Sequence, residues 1–205
     1  MRIVILSDTH SQQDELDIPN GDVLIHCGDF TGNKSWKRVE EFNHFLGQLN
    51  HRHKIVVAGN HDMHFESENQ KAVATLSNAT YLQDSEITID GINFYGSPWT
   101  PCFFDWYFMA DQKKLKTIWQ KIPENIDILI THGPPKGILD LTADGVNAGC
   151  EELLKRVLHI KPKFHVFGHI HEGYGMIEID GIKFINASNL DFHYRPANQP
   201  VVVDI

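Results

Sequence analysis

Five short polar blocks hold the residues that can do chemistry: Ser7-Asp8-Thr9-His10, His26-Cys27-Gly28-Asp29, Gly59-Asn60-His61-Asp62, Thr131-His132-Gly133 and Gly168-His169-Ile170-His171. Brought together, Asp8, Asp29 and Asp62 would repel one another, and buried carboxylates are costly unless paired or metal-bound. A cation resolves that conflict. Imidazole nitrogens mixed with carboxylate oxygens suit borderline divalent ions such as Mn²⁺, Zn²⁺ or Fe. At the end of a strand, residues two apart point to the same side, so Asp8 and His10, and His169 and His171, are spaced to act as pairs. Glycines 28, 59 and 168 are expected to let the backbone turn sharply where ligands are presented. Any one of these fragments is common in proteins; five in order, each closing an apolar run, form a strong signal.

The apolar runs must do the positioning. Ile3–Leu6, Val23–Ile25, Ile55–Ala58, Ile128–Ile130 and His165–Phe167 have the continuous character of strands buried on both faces. Asp90-Gly91 and Asp180-Gly181 sit between alternating runs, Ile87–Ile89 with Ile92–Tyr95 and Met176–Ile179 with Ile182–Ile185, and predict two hairpins. Val201–Val203 adds a last strand. Helix-face spacing runs through Lys37 to Leu49, Gln112 to Ile122 and Glu151 to Leu158. The alternation predicts an α/β domain built as a two-sheet β-sandwich flanked by helices. Open α/β sheets bind ligands beyond the carboxyl ends of their strands, so the five blocks can share one crevice.

The bulk properties bound the rest. A chain of 205 residues fits one domain, 1–205, with a sizeable core. Cys27, Cys102 and Cys150 lie too far apart for a C-x-x-C site or a disulfide framework. The N-terminal apolar run is too short for a signal-peptide core or a membrane span, so a cytoplasmic protein without a membrane partner is expected. A formal net charge of −9 argues against long nucleic acid as a partner. Of the 13 histidines, His44, His51, His53, His64 and His159 are read as surface imidazoles, His26 as capping or packing near the site, and His165 as a hydrogen-bonded core or surface histidine. Cys27 reads as a small buried hydrophobe.

The ordered blocks D-x-H, GD, GNH[D/E], H and GH-x-H across residues 8 to 171 resemble the calcineurin-like metallophosphoesterases. The metallophosphoesterase-domain-containing branch is closer still, through GDFTG at 28–32, VAGNHD at 57–62, GSPWTP at 96–101, THGPP at 131–135 and GHIHEGYG at 168–175. The tail Asn186-Ala187-Ser188-Asn189 followed by Tyr194-Arg195-Pro196 is similar too. This resemblance implies two divalent metal ions, Mn²⁺ foremost, with Fe, Zn, Co or Ni as alternatives. It assigns Asp8, His10 and His171 to one ion, Asn60, His132 and His169 to the other, and Asp29 to both. His61 would lie beside the ions as a general acid, and Asp62 would orient its ring, as carboxylates behind metal-site imidazoles do. The implied reaction is in-line attack on phosphorus by a hydroxide bridging the two ions, without a covalent intermediate.

The substrate reading is a small phosphodiester, nucleotides and cyclic nucleotides included. Of the five arginines, Arg195 alone is placed to approach the site, and a monoester dianion wants more fixed positive charge than that. Two other readings stand beside it: a phosphomonoesterase or protein phosphatase, and a nucleotide-binding regulatory module with little turnover. The oligomeric state is left open. His193, Arg195 and Asn189 either line the site or lie elsewhere. Trp99 to Met109 is dense in aromatics and serves as core packing, as a pocket for a base or leaving group, or as an interface.

Overall fold

The computed structural model describes residues 1–32 and 34–205. Two sheets face each other. In the first, β1 (Arg2–Leu6), β2 (Val23–His26), β3 (His53–Val56) and β4 (Thr80–Tyr81) run parallel, and β13 (Val201–Asp204) pairs antiparallel with the free edge of β1. In the second, β6 (Ile92–Ser97), β9 (Ile128–Thr131), β10 (Phe164–Phe167) and β12 (Ile182–Asn186) run parallel. Its edges are the antiparallel hairpin partners β5 (Ser85–Ile89) and β11 (Gly175–Ile179), turned at the two Asp-Gly pairs. A small pair, β7 (Thr100–Pro101) and β8 (Met109–Ala110), brackets a loop.

Side-chain alternation explains the unbroken apolar runs. Ile3 and Ile5 point between the sheets and meet Ile128, Ile130 and Val166, while Val4 and Leu6 point outward onto Val39, Phe42 and Leu46 of α1 (Trp36–Gln48). On the far side, Leu129, Phe167 and Phe184 pack against α4 (Gln112–Trp119) and α5 (Glu151–Ile160). Both faces of both central sheets are therefore covered, giving helix, sheet, sheet and helix in layers, as the sequence predicts.

Local departures have local causes. α4 ends at Trp119 instead of Ile122, because Pro123 disfavours a helical residue before it. The β3 ladder runs over His53–Val56, two residues ahead of expectation, although Val57 and Ala58 stay buried. Helices α2 (His64–Ser67) and α3 (Asn69–Thr75) are too short to show a period in the sequence. Two histidines assigned to the surface are buried. His51 is 5% exposed, and His64 stacks on Trp36 at 4.1 Å with its Nε2 3.1 Å from the Lys34 carbonyl. Among the described residues, no helix is long and apolar enough to cross a membrane.

His165, which the sequence left open between core and surface, is buried. The Thr131 hydroxyl donates to the Gly133 carbonyl at 2.7 Å, so His165 Nε2 donates to Thr131 Oγ1 at 2.8 Å and the ring is neutral. Burial pushes its pKa down to about 3. Below pH 6.5 the unfolded chain takes a proton that the folded one refuses. This contribution is therefore intact above the unfolded pKa and is lost as pH falls toward the folded one. Stability in urea should decline by about 1.4 kcal/mol per pH unit from this group between roughly pH 6 and 4. His165→Gln, which does not titrate, should flatten the decline by that amount; an unchanged slope would remove the residue from the account.

Candidate metal centre

The carboxyl ends of β1, β2, β3, β9 and β10 deliver the five polar blocks to one place, where the Ser7–Ser188 bridge ties the two sheets together. Asp8, His10 and His171 offer ligand atoms within 4.8 Å of one another, and so do Asp29, His132 and His169. Asp29 Oδ2 lies between the halves, 3.8 Å from His10 Nε2 and 3.4 Å from His132 Nε2. Asn60 Oδ1 is 3.0 Å from His132 Nε2. His61 forms a third group with His10 and Asp29, so its ring stands at the edge of the cluster. The residues named from the sequence thus meet in the crevice; Asp8, His10 and His171 group as the resemblance implies, while the second group joins Asp29 to His132 and His169, with Asn60 reaching it through His132 Nε2.

Each carboxylate is anchored by one oxygen and presents the other. Asp8 Oδ2 accepts from His169 N at 2.8 Å and Ser188 Oγ at 2.9 Å, while the buried Oδ1 has no hydrogen-bond partner among the described residues. Asp29 Oδ1 accepts from His61 N at 2.8 Å, leaving Oδ2 for the cluster. The imidazoles are aimed in the same way. His132 Nδ1 donates to the Cys27 carbonyl at 2.9 Å and His171 Nδ1 to the Asp191 carbonyl at 3.0 Å, which turns both Nε2 atoms inward. Asp8, His10, Asp29 and His169 all have φ between 43° and 70°, a left-handed conformation that side chains rarely adopt. Such strain persists where the surroundings over-determine it, and here it sets the direction of four ligands.

The glycines have a different job from the one expected. Gly28 does turn with φ of 107°, but Gly59 and Gly168 are needed for close approach. A Cβ on Gly59 would sit 2.3 Å from Asp29 Oδ1, and one on Gly168 would sit 2.1 Å from Asp8 Oδ2.

Asp62 also departs from expectation. Its Oδ2 accepts from the backbone N–H of Asp29 and of Gly59, both at 2.8 Å, and its Oδ1 accepts from Thr31 N at 2.9 Å and Thr31 Oγ1 at 2.8 Å. No hydrogen bond joins it to the His61 ring among the described residues. The ring contacts of His61 are His10 at 4.9 Å and Trp106 at 4.7 Å. Asp62 therefore holds the loops that carry Asp29 and Asn60, not the imidazole of its neighbour. Burial and the adjacent Asp29 charge push its carboxyl up to about 7, against donors that favour the anion.

Electrostatics shows what the cluster lacks. Burial opposes charge on Asp8 and Asp29, yet His171 beside the first and His132 beside the second hold both carboxyls below their ordinary range. Burial likewise opposes a proton on His132 and His171, and the same carboxylates outweigh it, pushing both up to about 9. Burial takes His10 down to about 4 and His169 to about 3. In the bare protein, protons on two imidazoles supply the positive charge that the carboxylates demand. Among the described residues neither His10 Nε2 nor Asp8 Oδ1 has a hydrogen-bond partner, and the two belong to one group of ligand atoms. A donor set of this kind fits divalent cations.

A cavity of about 630 Å³ opens onto the cluster, lined in part by Asp29, Asn60, His61, His169 and His171. The aromatic segment divides at this point. Trp99, Tyr107 and Phe108 pack into the protein, whereas Phe103, Phe104 and Trp106 form a cavity wall. Tyr194 covers the other side, 4.9 Å from the His10 ring and 5.1 Å from the His171 ring. The sequence offered no individual signal for Tyr194, for the Asp191 carbonyl or for Ser188 beyond their place in a similar tail. Arg195 does not approach the site. It pairs with Asp191 at 2.7 Å, and both it and His193 are exposed. Asn189 is buried and structural, accepting from Ser7 N at 3.2 Å. His26 packs on Phe30 and Phe42, 3.0 Å from Thr9 Oγ1.

The chain is similar to several known proteins. The family profile described as Calcineurin-like phosphoesterase matches residues 1–173. Human metallophosphoesterase domain-containing protein 1 is 42% identical over 230 residues, which span 100% of this chain and 71% of that protein. A UPF0046 protein of Caenorhabditis elegans is 42% identical over 227 residues, covering 100% of this chain and 81% of its own. Among solved structures, the phosphopantetheinyl hydrolase of Mycobacterium tuberculosis superposes with a TM-score of 0.65 at 13% identity, over 97% of this chain and 95% of that one, a likeness of fold.

Removing the Asp62 carboxylate should strand three buried N–H groups. Asp62→Ala is expected to cost about 3 kcal/mol or more in chemical denaturation and to weaken divalent-ion binding in calorimetry by about 10- to 100-fold. Asp62→Asn should not rescue it, since its NH₂ would face an N–H. Wild-type stability and metal affinity in Asp62→Ala would show that the anchor is dispensable.

Proposed function

The chain belongs to the calcineurin-like phosphoesterase family, and on that footing we propose that it is a phosphodiesterase for small diesters, the class that includes cyclic nucleotides. The family's metal-dependent hydrolysis of phosphate esters is the common ground; the diester preference is the finer reading. One observation carries it: among the described residues lining the cavity there is no Lys or Arg, while Asp144 and Glu172 are there. A diester carries one negative charge, whereas a monoester carries close to two and usually recruits fixed guanidinium or ammonium groups. The nearest arginine in sequence, Arg195, is already committed to Asp191.

Asp8, His10 and His171 would hold one divalent ion and Asn60, His132 and His169 the other, with Asp29 Oδ2 shared between them. Mn²⁺ is the first choice for this oxygen and nitrogen set, with Fe, Zn, Co and Ni able to occupy it. Ions held there would supply positive charge to acidify a bound water and to offset the charge of the phosphoryl group. The chain's own groups do the rest. The anchored carboxylate oxygens and the Nδ1–H bonds to the Cys27 and Asp191 carbonyls fix the ligand directions before substrate arrives. The imidazole of His61, half-buried at the cavity, carries the proton delivered to the departing ester oxygen. Tyr194 and Trp106 shield the imidazoles from bulk water on two sides. The negative balance and the lack of lining cations keep long nucleic acid out of this reading.

Hydrolysis of bis(p-nitrophenyl) phosphate and of p-nitrophenyl phosphate by metal-free protein titrated with Mn²⁺ tests the reading. The diester should be preferred, and Asp29→Ala should remove turnover. His61→Ala should cost about 100-fold on an alkyl diester, whose leaving oxygen needs a proton, and less on the p-nitrophenyl ester. A clear preference for the monoester would overturn the diesterase, and equal losses on both leaving groups would remove His61 as the acid.

A further inference from the structure

A phosphodiester has two ester groups, and the cluster can receive only the phosphorus between them. Behind the cluster lies core: Asp8, Asn60 and His132 are buried, and the sheets close beneath them. One ester group must therefore extend into the cavity, whose walls are chemically one-sided. Phe103, Phe104 and Trp106 face it from the loop between β7 and β8, and Phe192 and Tyr194 from the loop after β12. These five rings are 41–65% exposed, an unusual amount of aromatic surface to leave open around a single mouth.

Away from the histidines of the cluster, the charged side chains in the same wall are acidic among the described residues. Asp144 and Glu172 line it with no lysine or arginine among the described residues, and Glu172 follows His171 directly in the chain. A bond from Ala143 N to Glu172 Oε1 at 2.7 Å joins the two acidic loops, so their carboxylates belong to one connected rim. A second anionic group on the substrate would meet only repulsion there. A neutral group would gain apolar contact. A cation would gain the aromatic faces and the carboxylates together.

We propose that this cavity is a cation subsite and that the diesters it favours carry an alkylammonium group, of the choline type, on one ester alcohol. The inference rests on the diesterase reading for its chemistry, but the subsite itself can be tested by binding. Such a substrate is a zwitterion: its phosphoryl anion belongs at the metal-ligand cluster and its ammonium among the aromatic and carboxylate groups of the rim.

The kinetic test compares p-nitrophenyl phosphorylcholine with its uncharged isostere, p-nitrophenyl 3,3-dimethylbutyl phosphate, in the Mn²⁺-loaded protein. The two differ by one charge and share their shape and leaving group. The ratio of kcat/KM values should favour the choline ester by about 2- to 30-fold. In Asp144→Asn/Glu172→Gln it should fall toward one; because each ratio is taken within one protein, partial misfolding does not alter it. The binding arm follows tryptophan fluorescence of the metal-free protein with choline and with 3,3-dimethylbutanol. Choline alone should change the signal, and Trp106→Phe should abolish the change. A ratio of one or below in the wild type, a ratio unmoved by the double variant, or equal responses to both alcohols would overturn the subsite. Absent turnover of both diesters with choline binding intact would instead overturn the diesterase and support the subsite.

Discussion

Two carboxylates buried among imidazoles, with no lysine or arginine beside them among the described residues, are the constraint around which this protein is arranged. Asp8 and Asp29 are within a few per cent of full burial. Ionised groups in such a place are tolerated only with compensating charge close by. The fold provides for it by directing histidines from both sheets at the free carboxylate oxygens. His132 and His171 gather protons in the bare protein for the same reason that the cluster suits divalent ions: the field at their Nε2 atoms is strongly negative.

Holding that arrangement takes more than the ligands. The backbone carries several residues of the cluster in left-handed conformations, and each anchoring oxygen is spoken for by an N–H or hydroxyl donor. Asp62 is the clearest case. A carboxylate adjacent in sequence to His61 is used to fasten the backbone at Asp29, Gly59 and Thr31, so two loops from neighbouring strands keep a fixed separation. The ring of His61 is steadied by other aromatic rings, one of them Trp106 from a distant loop. Strand ends supply direction, loop donors supply rigidity, and the aromatic loops supply a boundary with solvent.

The cavity inherits an asymmetry from these parts. At one end lies the cluster, built for oxygen anions once cations are present. At the other lie rings and acidic side chains, with no lysine or arginine among the described residues. Arg195 could have changed this balance, but Asp191 draws its guanidinium away into an exposed pair. Asp191 also orients His171 through its carbonyl, so one short loop both aims a ligand and removes a cation from the rim.

The sequence by itself determined the layers and which polar residues meet at the strand ends. Buried strands must be apolar on both faces and must end in the residues they present, so runs such as Ile3–Leu6 and blocks such as Gly168-His169-Ile170-His171 were legible without coordinates. The two Asp-Gly turns were legible for a similar reason, because they demand positive φ over a span of two residues. Short helices such as His64–Ser67 were not, because one turn holds no period. Nor were the burial of His51 and His64, the true partners of Asp62, the path of Arg195, or the division of Trp99–Met109 into core and cavity wall. All of these depend on contacts between residues far apart in the chain or on the direction of a single side chain. Spacing along a strand fixes which residues can become ligands; only packing decides which atom each turns to, because that choice is set by neighbours the local sequence does not contain.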